Sequence, residues 1–123
     1  RKRRLMKKIM IVDDAAFMRL TIKNMLKKSP HVVIGEAENG RAAIERYKEL
    51  GPDIVTMDIT MPELDGLSAL KEIIRMDPGA RVIMVSAMGQ ETMVREAIVS
   101  GAKGFIVKPF KEEGILSAID RLA

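Results

Sequence analysis

The sequence predicts an α/β fold, a parallel five-stranded sheet doubly wound by five helices in a (βα)5 arrangement. Three observations carry that prediction. Short apolar, β-branched runs recur five times along 123 residues, an amphipathic segment of helical period follows each, and Gly or Pro breakers stand between them. Repeated βα units imply parallel strands, because right-handed crossovers place the connecting helices on both faces of one sheet.

The candidate strands are 8–12, 32–37, 53–57, 81–85 and 104–107. In the first helical segment Met18, Ile22, Met25 and Leu26 recur at i, i+4, i+7 and i+8, with Arg19, Lys23 and Lys27 turned away. Ala43, Tyr47 and Leu50 make the inner stripe of the second. Leu67, Leu70, Ile73 and Ile74 make that of the third, and Val94, Ala97 and Ile98 that of the fourth. The last helix begins at about Lys111 and turns Ile115, Ile119 and Leu122 inward. Gly114 marks either the start of that helix or a loosened first turn, since glycine there costs roughly 1 kcal/mol relative to alanine. Breakers fall at Ser29-Pro30, Asn39-Gly40, Gly51-Pro52, Pro78-Gly79, Gly101 and Pro109. Strands one, three, four and five are nearly unbroken apolar runs and are expected to be covered on both faces. Ten methionines against four aromatics (Phe17, Tyr47, Phe105, Phe110) indicate an adaptable aliphatic core, with methionine as packing.

Composition bounds the function. Hydrophobic residues at 47% and charged residues at 31% describe an ordinary globular domain. No apolar stretch reaches the roughly 18 residues of a bilayer span and no signal peptide is visible, so membrane insertion is not expected and the location is read as cytoplasmic. Cysteine is absent, which excludes disulfides and thiolate metal sites. The net charge of +4 raises the question of nucleic acid. Its location answers it. Arg1, Lys2, Arg3, Arg4, Lys7 and Lys8 supply six positive charges with no acidic residue among them, and setting these six aside from 21 leaves 15 basic against 17 acidic residues. The basicity belongs to an N-terminal extension over 1–7, preceding a near-neutral domain over 8–123, and no nucleic-acid partner is expected. Met6 stands before "KKIMIVDD" as a plausible native start, with residues 1–5 foreign.

Polar residues end the apolar runs. Asp13 and Asp14 follow "KIMIV", Asp58 closes "DIVTMD", Ser86 closes "RVIMVS" and Lys108 closes "GFIVK". In an open parallel sheet these carboxyl ends share the ligand crevice. The loop after the first strand reads "DDAAFM", with two carboxylates and no glycine, so it repels a nucleotide phosphate and attracts a hard cation. Two carboxylates about 5 Å apart repel by roughly 3 kcal/mol at an effective dielectric near 20, so three together require a cation. An all-oxygen set suits Mg2+, whereas zinc is a poor candidate with His31 the only histidine; His31 is expected to be structural or solvent-facing. Asp58 can then act as a nucleophile, with Lys108 as a point-charge donor and Ser86 as a rotatable hydroxyl beside a phosphoryl group.

"IVDDAAFMR", "DIVTMDITMPELDG", "VSAMGQ" and "GAKGFIVKPF" closely resemble the receiver domains of two-component response regulators, from about Lys8 to the end. Within that family the likeness is to the single-domain chemotaxis regulators of Gram-positive, thermophilic and archaeal type. The resemblance implies the flavodoxin-like strand order 2-1-3-4-5, for which chemotaxis regulators are themselves a standing example. It implies Asp58 as acceptor of a phosphoryl group from a histidine kinase or a small donor. It implies Mg2+ held by Asp13, Asp14, Asp58 and the backbone carbonyl of Thr60, with Ser86 and Lys108 contacting the phosphoryl group. It further implies Phe105 as a switch aromatic that turns inward with Ser86, where the plain alternative is core packing on strand five. A cis Lys108-Pro109 bond and phosphoryl lifetimes tuned at Thr60 and Met88 complete the pattern.

The implied partners are a histidine kinase of the chemotaxis type, a phosphatase, and a flagellar switch protein or adaptor. The last would dock on the face of the fourth helix, fifth strand and fifth helix, through residues such as Gln90, Glu91, Arg95 and Lys111. A monomeric signalling switch is expected, not an enzyme beyond its own phosphorylation and dephosphorylation. The alternatives are the receiver of a larger DNA-binding regulator, an aspartate-nucleophile phosphatase and a flavin protein. Thr60 stands where such a phosphatase carries a second aspartate, two residues after Asp58.

Overall fold

A computed structural model describes residues 6–123; residues 1–5 of the basic N-terminal run lie outside the described residues. Five strands, β1 (Lys8–Val12), β2 (Val32–Ala37), β3 (Ile54–Asp58), β4 (Val82–Ser86) and β5 (Gly104–Val107), alternate with five helices. These are α1 (Ala16–Leu26), α2 (Gly40–Leu50), α3 (Gly66–Met76), α4 (Glu91–Val99) and α5 (Glu112–Asp120). The strands form one parallel sheet in the order β2-β1-β3-β4-β5, as the family resemblance implies.

Alternation along the strands divides the core in two. Ile9, Ile11, Ile54 and Ile83 pack with Ile22 and Leu26 of α1 and Ile115 and Ile119 of α5. Met10, Val12, Val55, Met57 and Met84 face the other way, onto Ala43, Leu70, Ile73 and Ala97 of α2, α3 and α4. The strand order reverses between β1 and β3, and their carboxyl ends open the crevice that holds the acidic residues.

The helix ends explain themselves locally. Asn39 caps α2 by accepting from the Ala42 N–H at 2.8 Å, and Gly51 closes it in the left-handed region at φ 56. Asp65 caps α3 by accepting from the Ser68 N–H at 2.7 Å. Gly114 lies inside the first turn of α5, where its N–H donates to the Lys111 carbonyl at 3.0 Å.

Several sequence expectations need correction, among them the inner stripes at Leu50 and Ile98, which are 36% and 43% exposed. β3 and β4 each begin and end one residue later than their apolar runs suggest, because Asp58 and Ser86 still pair in register with Val85 and Val107. Neighbouring strands, not the side chain's own polarity, decide where the ladder stops. β5 is not covered on both faces: it is the sheet edge, and Phe105 and Val107 alternate outward. Methionine is not uniformly core either. Met10, Met57, Met61 and Met84 are buried, but Met88 is 79% exposed and Met93 is partly so, both near the start of α4.

His31 is structural. Its buried ring accepts the Lys7 N–H at Nδ1 (3.1 Å), which leaves Nε2 to donate to the Asp120 carboxylate at 3.0 Å. One side chain thus ties the entry to β1 and the end of α5 to the start of β2. His31→Ala removes both bonds at a buried position, and a loss of about 2 kcal/mol in unfolding free energy is expected by urea denaturation.

Candidate functional site

Four strand ends converge on the crevice. Asp13 follows β1, its Oδ1 accepting the Ala15 N–H at 2.9 Å and its backbone carbonyl accepting Arg19 Nη1 at 2.7 Å. Asp58 ends β3, and Lys108 follows β5 beside a cis bond to Pro109. The Lys108 ammonium lies 3.3 Å from Asp13 Oδ2 and 3.4 Å from Asp58 Oδ2, so it spans the two carboxylates. Asp14 is exposed at the rim, yet Asp13, Asp14 and Asp58 each bring a carboxylate oxygen within 4.8 Å of the others.

Electrostatics and burial work against each other here. Burial raises the pKa of Asp58 above the ordinary carboxylate value, and the Asp13 charge raises it further; Lys108 opposes both and does not cancel them. Burial pulls the Lys108 pKa down, but the Asp58 and Asp13 carboxylates outweigh it and the net direction is up. One ammonium among three carboxylates leaves a negative excess. The donor set is all carboxylate oxygen, which is the chemistry a hard divalent cation takes up.

Ser86 ends β4, but its hydroxyl is turned toward the Ile106 carbonyl of β5 at a long 3.5 Å. Above it a cavity of about 570 Å³ separates α4 from β5, lined by Ser86, Val94, Ile98 and Phe105 among others. Phe105 is 48% exposed at this cavity, so plain core packing does not describe it. Thr60 sits two residues beyond Asp58, its hydroxyl accepting Gln90 Nε2 at 2.9 Å, while Gln90 Oε1 accepts the Ala87 N–H at 2.7 Å. Gln90 was expected on the outer face with Glu91, Arg95 and Lys111. Those three are exposed, whereas Gln90 is folded back over the crevice.

Two residues that shape the site carry little signal in the sequence. Gly66 opens α3 with its N–H donating to the Ile59 carbonyl at 2.7 Å, so close that a Cβ there would meet the Asp58 carbonyl oxygen at 1.9 Å. The Asp-Gly pair at 65–66 signals a helix start and not this approach. Gln90 is the other: "SAMGQ" is recognisable as a string, but its bridging role is not readable from it.

Comparison with known proteins decides the family. The model of the response regulator receiver domain matches residues 9–120. The chain belongs to the response regulator receiver family. Among receivers it is 56% identical over 117 residues to the chemotaxis protein CheY of Thermotoga maritima, covering 95% of this chain and 98% of that one. It is 60% identical over 114 residues to CheY of Bacillus subtilis, covering 93% and 95%. A solved receiver structure, CheY in the CheX-CheY-BeF3-Mg2+ complex of Borrelia burgdorferi, superposes with a TM-score of 0.89 at 38% identity, over 94% of this chain and 87% of that one. The chain is therefore the receiver module of a two-component response regulator, with chemotaxis regulators among its relatives. Among the described residues no helix is long and apolar enough to cross a membrane.

Proposed function

We propose that this receiver is a phosphorylation switch in chemotaxis, with Asp58 as the phosphoryl acceptor. The single observation that supports it is the Lys108 ammonium held between Asp13 and Asp58 at the mouth of three clustered carboxylates. An Asp58 carboxylate oxygen forms a bond to phosphorus as the bond to a histidine nitrogen, or to the oxygen of a small acyl phosphate donor, breaks. The electron pair of the broken bond leaves with the donor. Lys108, already 3.4 Å from Asp58, balances charge on the transferred group. Ser86 reaches a phosphoryl oxygen only after its hydroxyl turns away from Ile106.

Asp13, Asp14, Asp58 and the Thr60 backbone carbonyl would hold Mg2+. When bound, that ion would neutralise charge on the phosphoryl oxygens. Turning of Ser86 leaves room for Phe105 to enter the cavity under α4, reshaping the α4–β5–α5 face. The partners proposed are a histidine kinase of the chemotaxis type, a phosphatase, and a flagellar switch protein or adaptor docking on that face. We further propose a cytoplasmic location and a domain spanning 8–123 behind a basic extension.

Intact mass after incubation with Mg2+ and acetyl phosphate tests the acceptor. One phosphoryl group gained by wild type, and none by Asp58→Asn or without Mg2+, is expected. An adduct of the same yield on Asp58→Asn would place the acceptor elsewhere.

A further inference from the structure

One side chain, that of Gln90, ties the β4–α4 loop across the crevice. Ala87, Met88 and Gly89 are exposed, and Gly89 holds φ +89, a backbone state that brings Gln90 back toward Ala87. There the Gln90 amide makes two bonds in opposite senses. Its Oε1 accepts the Ala87 N–H at 2.7 Å and its Nε2 donates to Thr60 Oγ1 at 2.9 Å. Ala87 belongs to β4's exit and Thr60 to β3's, so the bridge joins the loop that follows Asp58 to the loop that follows Ser86. Gln90 is also the N-cap residue of α4, yet it makes no side-chain cap bond. The preferred use of a polar residue at that position has been given up for the bridge.

We infer that Gln90 is a positioning residue, a latch that holds the β4–α4 loop in the arrangement with Ser86 turned away from Asp58. The inference rests on the proposed phosphoryl site and goes beyond it, by assigning the resting state to one side chain. The geometry supplies the reason. Ser86 is bonded covalently to Ala87, so a shift of the loop that carries the Ser86 hydroxyl toward a group on Asp58 has to break the tie from Ala87 to Thr60 through Gln90. The competing hold on Ser86, the Ile106 carbonyl, is long at 3.5 Å and weak. The bridge therefore adds a restraint on that movement which an anion on Asp58 must outcompete.

Removing the latch should make the phosphoryl-bound arrangement easier to reach. Beryllofluoride in Mg2+ serves as the probe, followed by calorimetry. Gln90→Ala is expected to bind it roughly fivefold more tightly than wild type, the scale on which one net hydrogen bond moves an equilibrium. Thr60→Val, which keeps the backbone carbonyl, should act in the same direction, and the double variant should gain no more than either alone. Affinity for Mg2+ alone should be unchanged in Gln90→Ala, a split that general loosening of the fold would not produce. Hydrogen exchange at the Ala87 amide should quicken in that variant.

Unchanged or weaker beryllofluoride binding in Gln90→Ala would overturn the latch, as would an Ala87 amide indifferent to the substitution. Asp58→Asn separates the two readings, because it should abolish beryllofluoride binding with or without Gln90. If it does not, the phosphoryl site has failed and the latch falls with it.

Discussion

Gly66→Ala is expected to cost about 3 kcal/mol or more, at the top of the range for forced overpacking, although the position is helical and alanine is the better helix former. Propensity alone would favour the substitution by roughly 1 kcal/mol. Sterics decide against it. The new methyl would meet the Asp58 carbonyl oxygen at 1.9 Å and the Ile59 Cα at 3.0 Å, both backbone atoms with no rotamer to retreat into. Either α3 moves off β3, breaking the bond from the Gly66 N–H to the Ile59 carbonyl, or the end of β3 moves and takes Asp58 out of register with Lys108. Gly114→Ala is the control, since its methyl would meet only Phe110 Cβ, at an ordinary 3.8 Å, in the connection before α5. That variant should gain up to about 1 kcal/mol. The same chemical change then has opposite signs at the starts of two helices, and urea denaturation of the pair measures it. A wild-type midpoint for Gly66→Ala would show that α3 can shift at little cost.

The charge cluster yields the second large effect, in the absence of divalent metal. Lys108→Ala should destabilise the fold by about 2 kcal/mol. This is below the ~3–5 kcal/mol for breaking a fully buried pair, because the lysine side chain is 25% exposed and partly screened. Asp58→Asn should stabilise by about 1 kcal/mol at neutral pH, since it removes a charge that burial and Asp13 disfavour. The pH dependence follows from the direction of the shift. Asp58 is more easily protonated folded than unfolded, so its penalty is absent below the unfolded carboxyl pKa of about 4. The penalty builds as pH rises through the raised folded value and is complete above it. The advantage of Asp58→Asn should therefore fade as pH falls through that window. Millimolar Mg2+ should stabilise wild type more than this variant, because the ion binds the native cluster and not the unfolded chain. Thermal melts of the two proteins at a series of pH values provide the test. An advantage that persisted at low pH would trace to packing instead of charge.

Much of the site was legible because polarity interrupts hydrophobicity at a position that parallel topology makes meaningful. Asp13, Asp58, Ser86 and Lys108 each stand at the end of an apolar run, and the sheet brings Asp13, Asp58 and Lys108 into contact. Other features depend on what lies beside a residue in space. β5 reads like β3 in composition, yet it has a neighbour on one side only and α4 stands off it across a cavity. Phe105 is therefore half-exposed where an apolar run suggested cover. The strand ends at Asp58 and Ser86 were set by cross-strand pairing, and the Gln90 bridge spans 30 residues of chain. No local pattern encodes either one.

The division of labour across β5 bears on how such a protein can diverge. Ile106 packs against the buried cluster that holds Ile115 and Ile119 of α5, so changes there endanger the whole molecule. Val107, Ile98 and Val99 put much of their surface in water, so exchanging them removes little buried area. The face that would meet a partner is thus thermodynamically cheap to rewrite, while the crevice a few residues away is not. Exchanges at Val107, Ile98 and Val99 would leave the fold and the acidic crevice untouched, one substitution at a time.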